Sequence, residues 1–321
     1  MRIFRLKDSE IAQYDTLARE YGTIFNSIKW LSLFKDKINL VGIYNDNDEL
    51  IGGFHIYTEK KIGLTVCRNA PFTPHCGPFL KVNAKNHVAV MDTWKKALSL
   101  MADYLEQCCF PVVSFSLVKD IIDVQPFIWR KYKVIPHYTY LIDLGQPIDV
   151  ILKNMSPERR NDLKKGDKLG ISVRLCSDYK AVQSLVMQSF SRQDMKIDNQ
   201  CVDSILFNFA DSSNSFAFVA EDDNHTIAAA FCIYDAKTAY YLLGGYSHDN
   251  KHRSAGPLVC YEAIKYAKQM GIKVFDFEGS MVPAIESYFR GFGGTITPYY
   301  RINKAMLPLE CLLKFIKREL F

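Results

Sequence analysis

One hairpin occurs twice in this chain, and that internal repeat constrains the fold more than any other feature. Leu50-Ile51-Gly52-Gly53-Phe54-His55-Ile56-Tyr57 follows the polar run Asn45-Asp46-Asn47-Asp48, and Ile227-Ala228-Ala229-Ala230-Phe231-Cys232-Ile233-Tyr234 follows Asp222-Asp223-Asn224-His225. Phe54, Ile56 and Tyr57 match Phe231, Ile233 and Tyr234 at an offset of 177, as Asp46 and Asn47 match Asp223 and Asn224. Each copy reads as two β-rich runs joined by an Asn/Asp turn. Another strand-like run follows in each half, Leu64–Cys67 and Ala239–Gly244. Then come a loop, a helix of apolar periodicity (Val88–Gln107 and Leu258–Met270) and a short β-rich segment (Val112–Leu117 and Lys273–Phe277). Strand–strand–strand–loop–helix–strand, used twice, predicts two related α/β (α+β) domains, each a mixed, mostly antiparallel sheet flanked by helices.

The expected division is 1–135 for the first domain, 136–303 for the second and 304–321 for a C-terminal amphipathic helix. Ser156 and Pro157 are placed to open a helix in the second domain, as N-cap and first-turn proline. Leu309, Leu312, Leu313, Ile316 and Leu320 share one side of the C-terminal helix, and docking of that side on the protein is expected ahead of contact with a membrane surface.

The chain has 321 residues, 48% of them hydrophobic, which suits two packed cores and excludes a disordered tail or a small disulfide scaffold. No apolar run approaches the ~18 residues of a bilayer span, and the first residues turn polar too soon for a secretory signal, so a cytoplasmic protein is expected. The nine cysteines are odd in number and contain no Cys-x-x-Cys pair, which suggests neither a disulfide framework nor a zinc ribbon. His248 and His252 fall in a loop and are not read as metal ligands; no metal is expected. A formal charge of +5 permits a phosphate-rich partner but is too small and too scattered for a dedicated DNA binder.

Three groups of residues are suited to chemistry. Tyr241-Leu242-Leu243-Gly244-Gly245-Tyr246 runs into a polar loop, and Ala255-Gly256-Pro257 then opens a helix; small residues, a helix N-terminus and the cations Lys251 and Arg253 favour an anion. An ordinary polar connection fits the same residues. Asp276 and Glu278 alternate, and so are expected on one face of a strand as a general base and its orienting partner, or as structural carboxylates. Arg159, Arg160, Lys164, Lys165 and Lys168 have helical spacing and form either a phosphate-binding face or a solvated one. In the first half, Pro71-Phe72-Thr73-Pro74-His75-Cys76-Gly77-Pro78 is a rigid loop from which Thr73 and His75 are expected to meet a substrate.

Taken together these segments resemble the FemAB-type branch of the GNAT superfamily, the peptidyltransferases that build peptidoglycan cross-bridges. The likeness is carried by Gly244-Gly245, Ala255-Gly256, Glu262-Ala263-Ile264, Asp276-Phe277-Glu278-Gly279-Ser280 and Phe289-Arg290-Gly291-Phe292-Gly293-Gly294. Trp30 after Phe25-Asn26-Ser27, the Thr73–Pro78 loop and the basic stretch from Ser156 to Gly166 add to it. The resemblance implies two tandem GNAT-like domains and acyl transfer to an amine. The co-substrate would be an aminoacyl-tRNA or an acyl-CoA, with no tightly bound cofactor, and the acceptor a peptidoglycan precursor or another small amine. Asp276 or Glu278 would assist the proton's loss. Gly244, Gly245 and Arg253 would face the oxyanion, with Ala255 and Gly256 at the donor. Arg159, Arg160 and Lys164 would bind phosphates, and Trp30, Thr73, His75, Tyr246, Tyr288 and Arg290 would line the substrate. Two positions depart from the pattern: Ser32 stands where a phosphate-contacting Lys is implied, and Phe289 where a phenol would protonate a leaving thiolate, with Tyr288 one residue away. A GNAT-derived binding module without turnover therefore stays beside the enzyme readings.

Overall fold

The computed structural model describes residues 1–192, 198–223, 225–247, 252–279 and 281–316. Strands β1 (Arg2–Arg5), β2 (Ile38–Tyr44), β3 (Leu50–Lys61), β4 (Leu64–Arg68), β5 (Phe79–Leu80) and β6 (Val112–Ser116) are interspersed with helices α1 (Ile11–Tyr21), α2 (Ile28–Leu31), α3 (His87–Gln107) and α4 (Gln125–Trp129). Next come β7 (Lys133–Asp143), α5 (Ile148–Asn154), α6 (Pro157–Lys168), β8 (Ser172–Cys176), α7 (Tyr179–Arg192), α8 (Asn199–Asp203), β9 (Ser215–Asp222), β10 (His225–Tyr234) and β11 (Thr238–Tyr246). The chain closes with α9 (Ala255–Gln269), β12 (Val274–Asp276), α10 (Pro283–Arg290), β13 (Thr295–Ala305) and α11 (Leu307–Ile316).

Two compact units result, Met1–His137 with Pro298–Phe321, and Tyr138–Thr297. Residues after 297 belong to the first unit, where the expected division kept 136–303 together. The cause is strand pairing: Arg301–Ala305 of β13 lies antiparallel to Ser116–Val112 of β6.

The predicted repeat is visible in the pairing. The first unit's sheet runs β1-β2-β3-β4-β6-β13, with β5 on β3, and the second's runs β7-β12-β11-β10-β9-β8. β2–β3 and β9–β10 are the two expected hairpins. In each unit the third strand of the repeat then meets the strand after the long helix in parallel, β4 with β6 and β11 with β12. A parallel pair needs a crossover, and α3 and α9 supply it. Local chemistry starts the helices: the Asn86 side chain accepts from the Ala89 N–H at 2.9 Å to cap α3, and Ser156 Oγ accepts from the Arg159 N–H at 3.2 Å to cap α6.

The core of each unit lies between sheet and crossover helix. In the first, Leu98, Met101 and Leu105 of α3 pack with Phe54, Ile56, Phe115 and Ile302. In the second, Val259, Cys260, Ala263 and Ile264 of α9 pack with Ala228, Ala230 and Cys232 of β10 and with Phe275 and Phe277. The intervening residue Phe231 turns to the other face and meets Tyr179 of α7, ring centroids 5.3 Å apart, as strand alternation requires. All nine cysteines are free. Among the described residues no cluster of metal-ligating side chains and no helix long and apolar enough to cross a membrane is found.

The C-terminal helix meets the protein through only part of the expected face: Leu309 and Leu313 are half-buried, and Leu312 and Ile316 are exposed. Among its described residues α11 buries none. It leaves the sheet at Met306, whose N–H bonds the Pro111 carbonyl at 3.0 Å, and exposes Leu307, Leu312, Phe315 and Ile316. Leu320 falls outside the described residues.

His55 and His75 are buried in the first unit, and burial depresses both imidazoles, His55 to about 3 and His75 well below its usual range. Neither ring nitrogen of His55 has a hydrogen-bond partner. The unfolded chain therefore binds protons that the folded one refuses, so the stability is complete above pH 6.5 and declines as the pH falls from there towards the depressed values. Between pH 7 and pH 5 His55 should cost about 2 kcal/mol, read as a lower urea midpoint, and His75 should act in the same direction. His55→Gln should remove its share of that decline, and an unchanged pH dependence would show that His55 does not contribute.

Candidate active site

The second unit's parallel strands pair over only three residues, Thr238–Tyr240 with Val274–Asp276. β11 continues to Tyr246, while the chain leaves β12 at Phe277. Among the described residues no strand covers that edge of β11 beyond Tyr240. A bulge lies at the same place: Phe231 pairs Leu243 and Cys232 pairs Tyr241, so Leu242 is an extra residue that bends the strand and re-aims its last four residues.

Gly244 and Gly245, next along the strand, are glycines for different reasons. A Cβ on Gly245 would lie 2.4 Å from the Leu185 backbone, so Gly245 admits α7 against the sheet. A Cβ on Gly244 would lie 1.9 Å from the Tyr241 hydroxyl, so the glycine makes room for a phenol laid across the strand. The Ser247 N–H bonds the Ile227 carbonyl on β10. Alternation then sends the Gly245 N–H into the same ladder and those of Gly244 and Tyr246 to the opposite edge. Tyr246 spends its N–H on Ser189 Oγ at 3.2 Å. Gly244 is thus the residue of the pair whose N–H is aimed at the uncovered edge.

Helix α9 begins beside this edge with no side-chain cap. Helix α6 lies against it because residue 166 is glycine: a Cβ there would fall 2.3 Å from Leu258 Cδ1. This approach assembles a network of charges. Asp162, 3% exposed, receives Arg159 at 3.1 Å and Arg253 at 3.4 Å. Glu158 pairs with Arg253 and lies 3.5 Å from Arg159. The stem of Arg159 crosses α10 where Gly291 leaves space, since a Cβ there would be 2.9 Å from Arg159 Cγ. Its guanidinium then sits 5.0 Å above the Tyr288 ring, a cation–π contact.

Tyr288 is consequently at the centre, although Phe289 holds the position expected of the phenol. Its hydroxyl is 3.4 Å from where a Cβ on Gly256 would stand, in the first turn of α9. Burial pushes the Tyr288 phenol well above its ordinary range, and Arg159 only partly opposes this. Burial does the same to Tyr241. Both phenols are protonated at neutral pH and can donate. Phe289 turns into the core and stacks on Phe277 at 5.0 Å.

Several expected site residues have other work. Asp276 and Glu278 do not share a strand face, because β12 ends at Asp276 and Glu278 follows with φ +59°. Asp276 is buried, and its Oδ1 accepts from Thr139 Oγ1 at 2.6 Å and from the Glu278 N–H at 2.9 Å. Arg160 donates to the Lys153 and Met155 carbonyls at 2.7 and 2.8 Å, closing the end of α5 instead of reaching for a phosphate. Lys164 is exposed on α6, on the solvated face. Ala255 is buried and gives its N–H to the His252 carbonyl, which leaves Gly256 as the donor of that pair. Arg290 is exposed and paired with Glu286 at 2.9 Å, and Tyr140 donates to the same carboxylate. Lys251, His248 and Ser280 lie outside the described residues.

Trp30, Thr73 and His75 belong to the first unit, and all three are buried. Trp30 Nε1 donates to Thr73 Oγ1 at 2.9 Å, and Thr73 passes its own proton to the Pro71 carbonyl at 3.1 Å. His75 Nδ1 accepts from the Gly77 N–H at 3.1 Å, so Nε2 carries the proton and donates to Thr23 at 3.2 Å. These bonds use the polar atoms that were expected to meet a substrate; the three residues lock the Pro-rich loop. Tyr241, Glu158 and Asp162 are the site residues that sequence reasoning passed over. The signal for Tyr241 was its place three residues before a strand glycine.

Residues 158–290 match the sequence profile of the Acetyltransferase (GNAT) domain. No curated protein matches the chain in sequence. Among solved structures the chain is similar to FemX, with 13% identity and a TM-score of 0.72 over 98% of this chain and 100% of that one. It is also similar to the C-terminal (DUF2156) domain of a putative lysylphosphatidylglycerol synthetase from Agrobacterium fabrum (10% identity, TM-score 0.61, 95% and 96% covered). A third similar structure is L-PGS from Bacillus licheniformis (10% identity, TM-score 0.58, 98% of each chain covered). Residues 158–290 thus carry the likeness to the GNAT domain, and the chain as a whole takes a fold similar to that of FemX.

Proposed function

We propose that the protein transfers an aminoacyl group from an aminoacyl-tRNA to the amine of a small precursor, of the peptidoglycan-precursor class that the FemAB resemblance implies. The observation that carries this reading is Tyr288, a phenol kept protonated by burial, beneath the Arg159 guanidinium and against the first turn of α9. In the reaction the amine attacks the ester carbonyl carbon, and the oxyanion that forms takes the Gly244 N–H. Collapse breaks the bond to the ribose oxygen, which leaves with the Tyr288 proton, and the surplus amine proton passes to Glu278 through water. An alkoxide needs that proton more than a thiolate does, and a phenol of raised pKa suits the alkoxide. Arg159, Arg253 and the N–H groups of α9 would hold the donor's phosphates. Neighbours named for lysylphosphatidylglycerol synthesis support an aminoacyl donor at the level of fold.

A second reading, an acyl-CoA donor for an N-acyltransferase on a small amine, is supported by the acetyltransferase description of the matched domain. Transfer of label from a charged tRNA pool, set against transfer from acetyl-CoA, separates the two readings. Transfer from acetyl-CoA alone selects the second, and transfer from neither leaves a binding module.

Tyr288→Phe should lower kcat by about a hundredfold with donor affinity nearly unchanged. Retention of full kcat would remove the phenol from the mechanism. Arg159→Ala should instead weaken donor binding and reduce its log–log salt slope by about one. Asp276→Asn and Thr139→Val should each lower stability by about 1–3 kcal/mol. If both keep their kcat per folded molecule, Asp276 is a brace; a selective loss of kcat in Asp276→Asn would make it part of the chemistry.

A further inference from the structure

The turn between β3 and β4 has a composition that the fold does not explain. Lys61 pairs with Leu64, so Ile62 and Gly63 alone make the hairpin loop. Both have positive φ, +50° and +75°, as a type I′ turn requires. The first position of such a turn favours Asn, Asp or Gly, and a β-branched side chain there is strained. Ile62 is nonetheless present and 103% exposed. It touches nothing that would repay the strain, so its apolar side chain has no use within the chain.

A second unpartnered apolar element emerges at the same end of the sheet. Val66 pairs with Val112, and Val112 pairs with Ala305, so these residues form one row across β4, β6 and β13. The Ile62 tip projects beyond this row from β4, and α11 begins just beyond it from β13. Leu307 is 79% exposed and Phe315 90%, with Leu312 and Ile316 more than half exposed. Lysines edge both elements. Lys60 and Lys61 precede the tip, Lys304 precedes the helix, and Lys314 lies within it. The carboxylates Glu59, Glu106 and Glu310 are each already paired with one of these lysines. Lys60 remains beyond them, and in sequence Lys317 and Arg318 against Glu319.

We infer that this end of the first unit, the Ile62 hairpin tip together with α11, docks on an anionic phospholipid surface. Apolar side chains would enter the acyl boundary while Lys60 and the exposed, exchangeable Lys61 and Lys314 meet the headgroups. A strained isoleucine at the tip is then explained by an environment outside the chain. The surface is independent of the transfer chemistry, and it can be tested without an activity measurement.

The test is co-sedimentation of the full chain with phosphatidylcholine vesicles, with and without phosphatidylglycerol. Binding is expected to the anionic vesicles, to be weaker on phosphatidylcholine alone and to fall with added salt. Ile62→Asn restores the residue that the turn prefers, so its melting temperature should be unchanged or higher, and its vesicle partition should fall about tenfold. Phe315→Ser should act in the same direction. The inference is overturned if the full chain ignores anionic vesicles, or if both variants bind as well as the parent. It is equally overturned if the full chain forms a concentration-dependent dimer that Ile62→Asn dissolves, because a second copy would then be the occupant.

Discussion

The candidate site depends on one close approach, that of α6 to α9. A Cβ at residue 166 would fall 2.3 Å from Leu258 Cδ1 and 3.3 Å from Ser254 Cβ, so a side chain there would have to displace Leu258 for the helices to stay this close. This approach sets Arg159 and Asp162 on α6 near Arg253, just before α9, and the first turn of α9. The same approach brings the Arg159 stem over Gly291 and its charge over Tyr288. A glycine inside a helix costs about 1 kcal/mol relative to alanine. Here that cost is tied to the assembly of the charge network, which no propensity argument would weigh.

The network has a built-in asymmetry. Asp162 is a buried carboxylate, and a buried charge is tolerated only when paired. Its two cations differ in exposure: Arg159 is mostly buried with its stem fixed between helices, whereas the Arg253 side chain is 71% exposed. Exposed ion pairs contribute little, typically below about 1 kcal/mol. Arg253 can therefore leave its carboxylates for an incoming phosphate with small loss. Arg159, its stem fixed over Gly291, stays on Asp162 at 3.1 Å and can meet an anion only without leaving that carboxylate. The geometry separates a fixed guanidinium, packed over the Tyr288 ring, from an exposed one whose ion pairs can exchange.

What the sequence made legible was local or periodic. Ser156 and Pro157 start a helix by chemistry confined to one turn, and the duplicated hairpins announce themselves through alternation and Asn/Asp turns. The repeat then implied the parallel strand pair and its crossover. What it hid was set by contacts distant in sequence. Asp276 and Glu278 alternate as strand residues should, but the strand stops at Asp276 because its carboxylate bonds Thr139 and the Glu278 N–H. Trp30 and Thr73 stand 43 residues apart, and only the folded chain shows them satisfying each other. The phenol at the site was displaced by one residue from its expected place because the phase of α10, which buries Phe289 on Phe277, leaves Tyr288 facing α9.

The two copies of the repeat have been put to different uses. Each contains a parallel pair that follows a long crossover helix, and each therefore has a place where strand edges can separate. In the second unit the corresponding edge of β11 is left uncovered after a bulge, with a helix N-terminus, two phenols and a ring of charges around it. In the first, the post-strand loop is filled: Trp30, Thr73 and His75 close it with bonds that consume their polar atoms, and the Cys76 N–H bonds the Ser116 carbonyl at the end of β6. The Thr73, Cys76 and Gly77 N–H groups of this loop are all spent on the protein's own acceptors. The groups suited to chemistry are thus concentrated in the copy whose strand edge stayed open, while the other copy, with its post-strand loop filled, carries the exposed hairpin tip and helix.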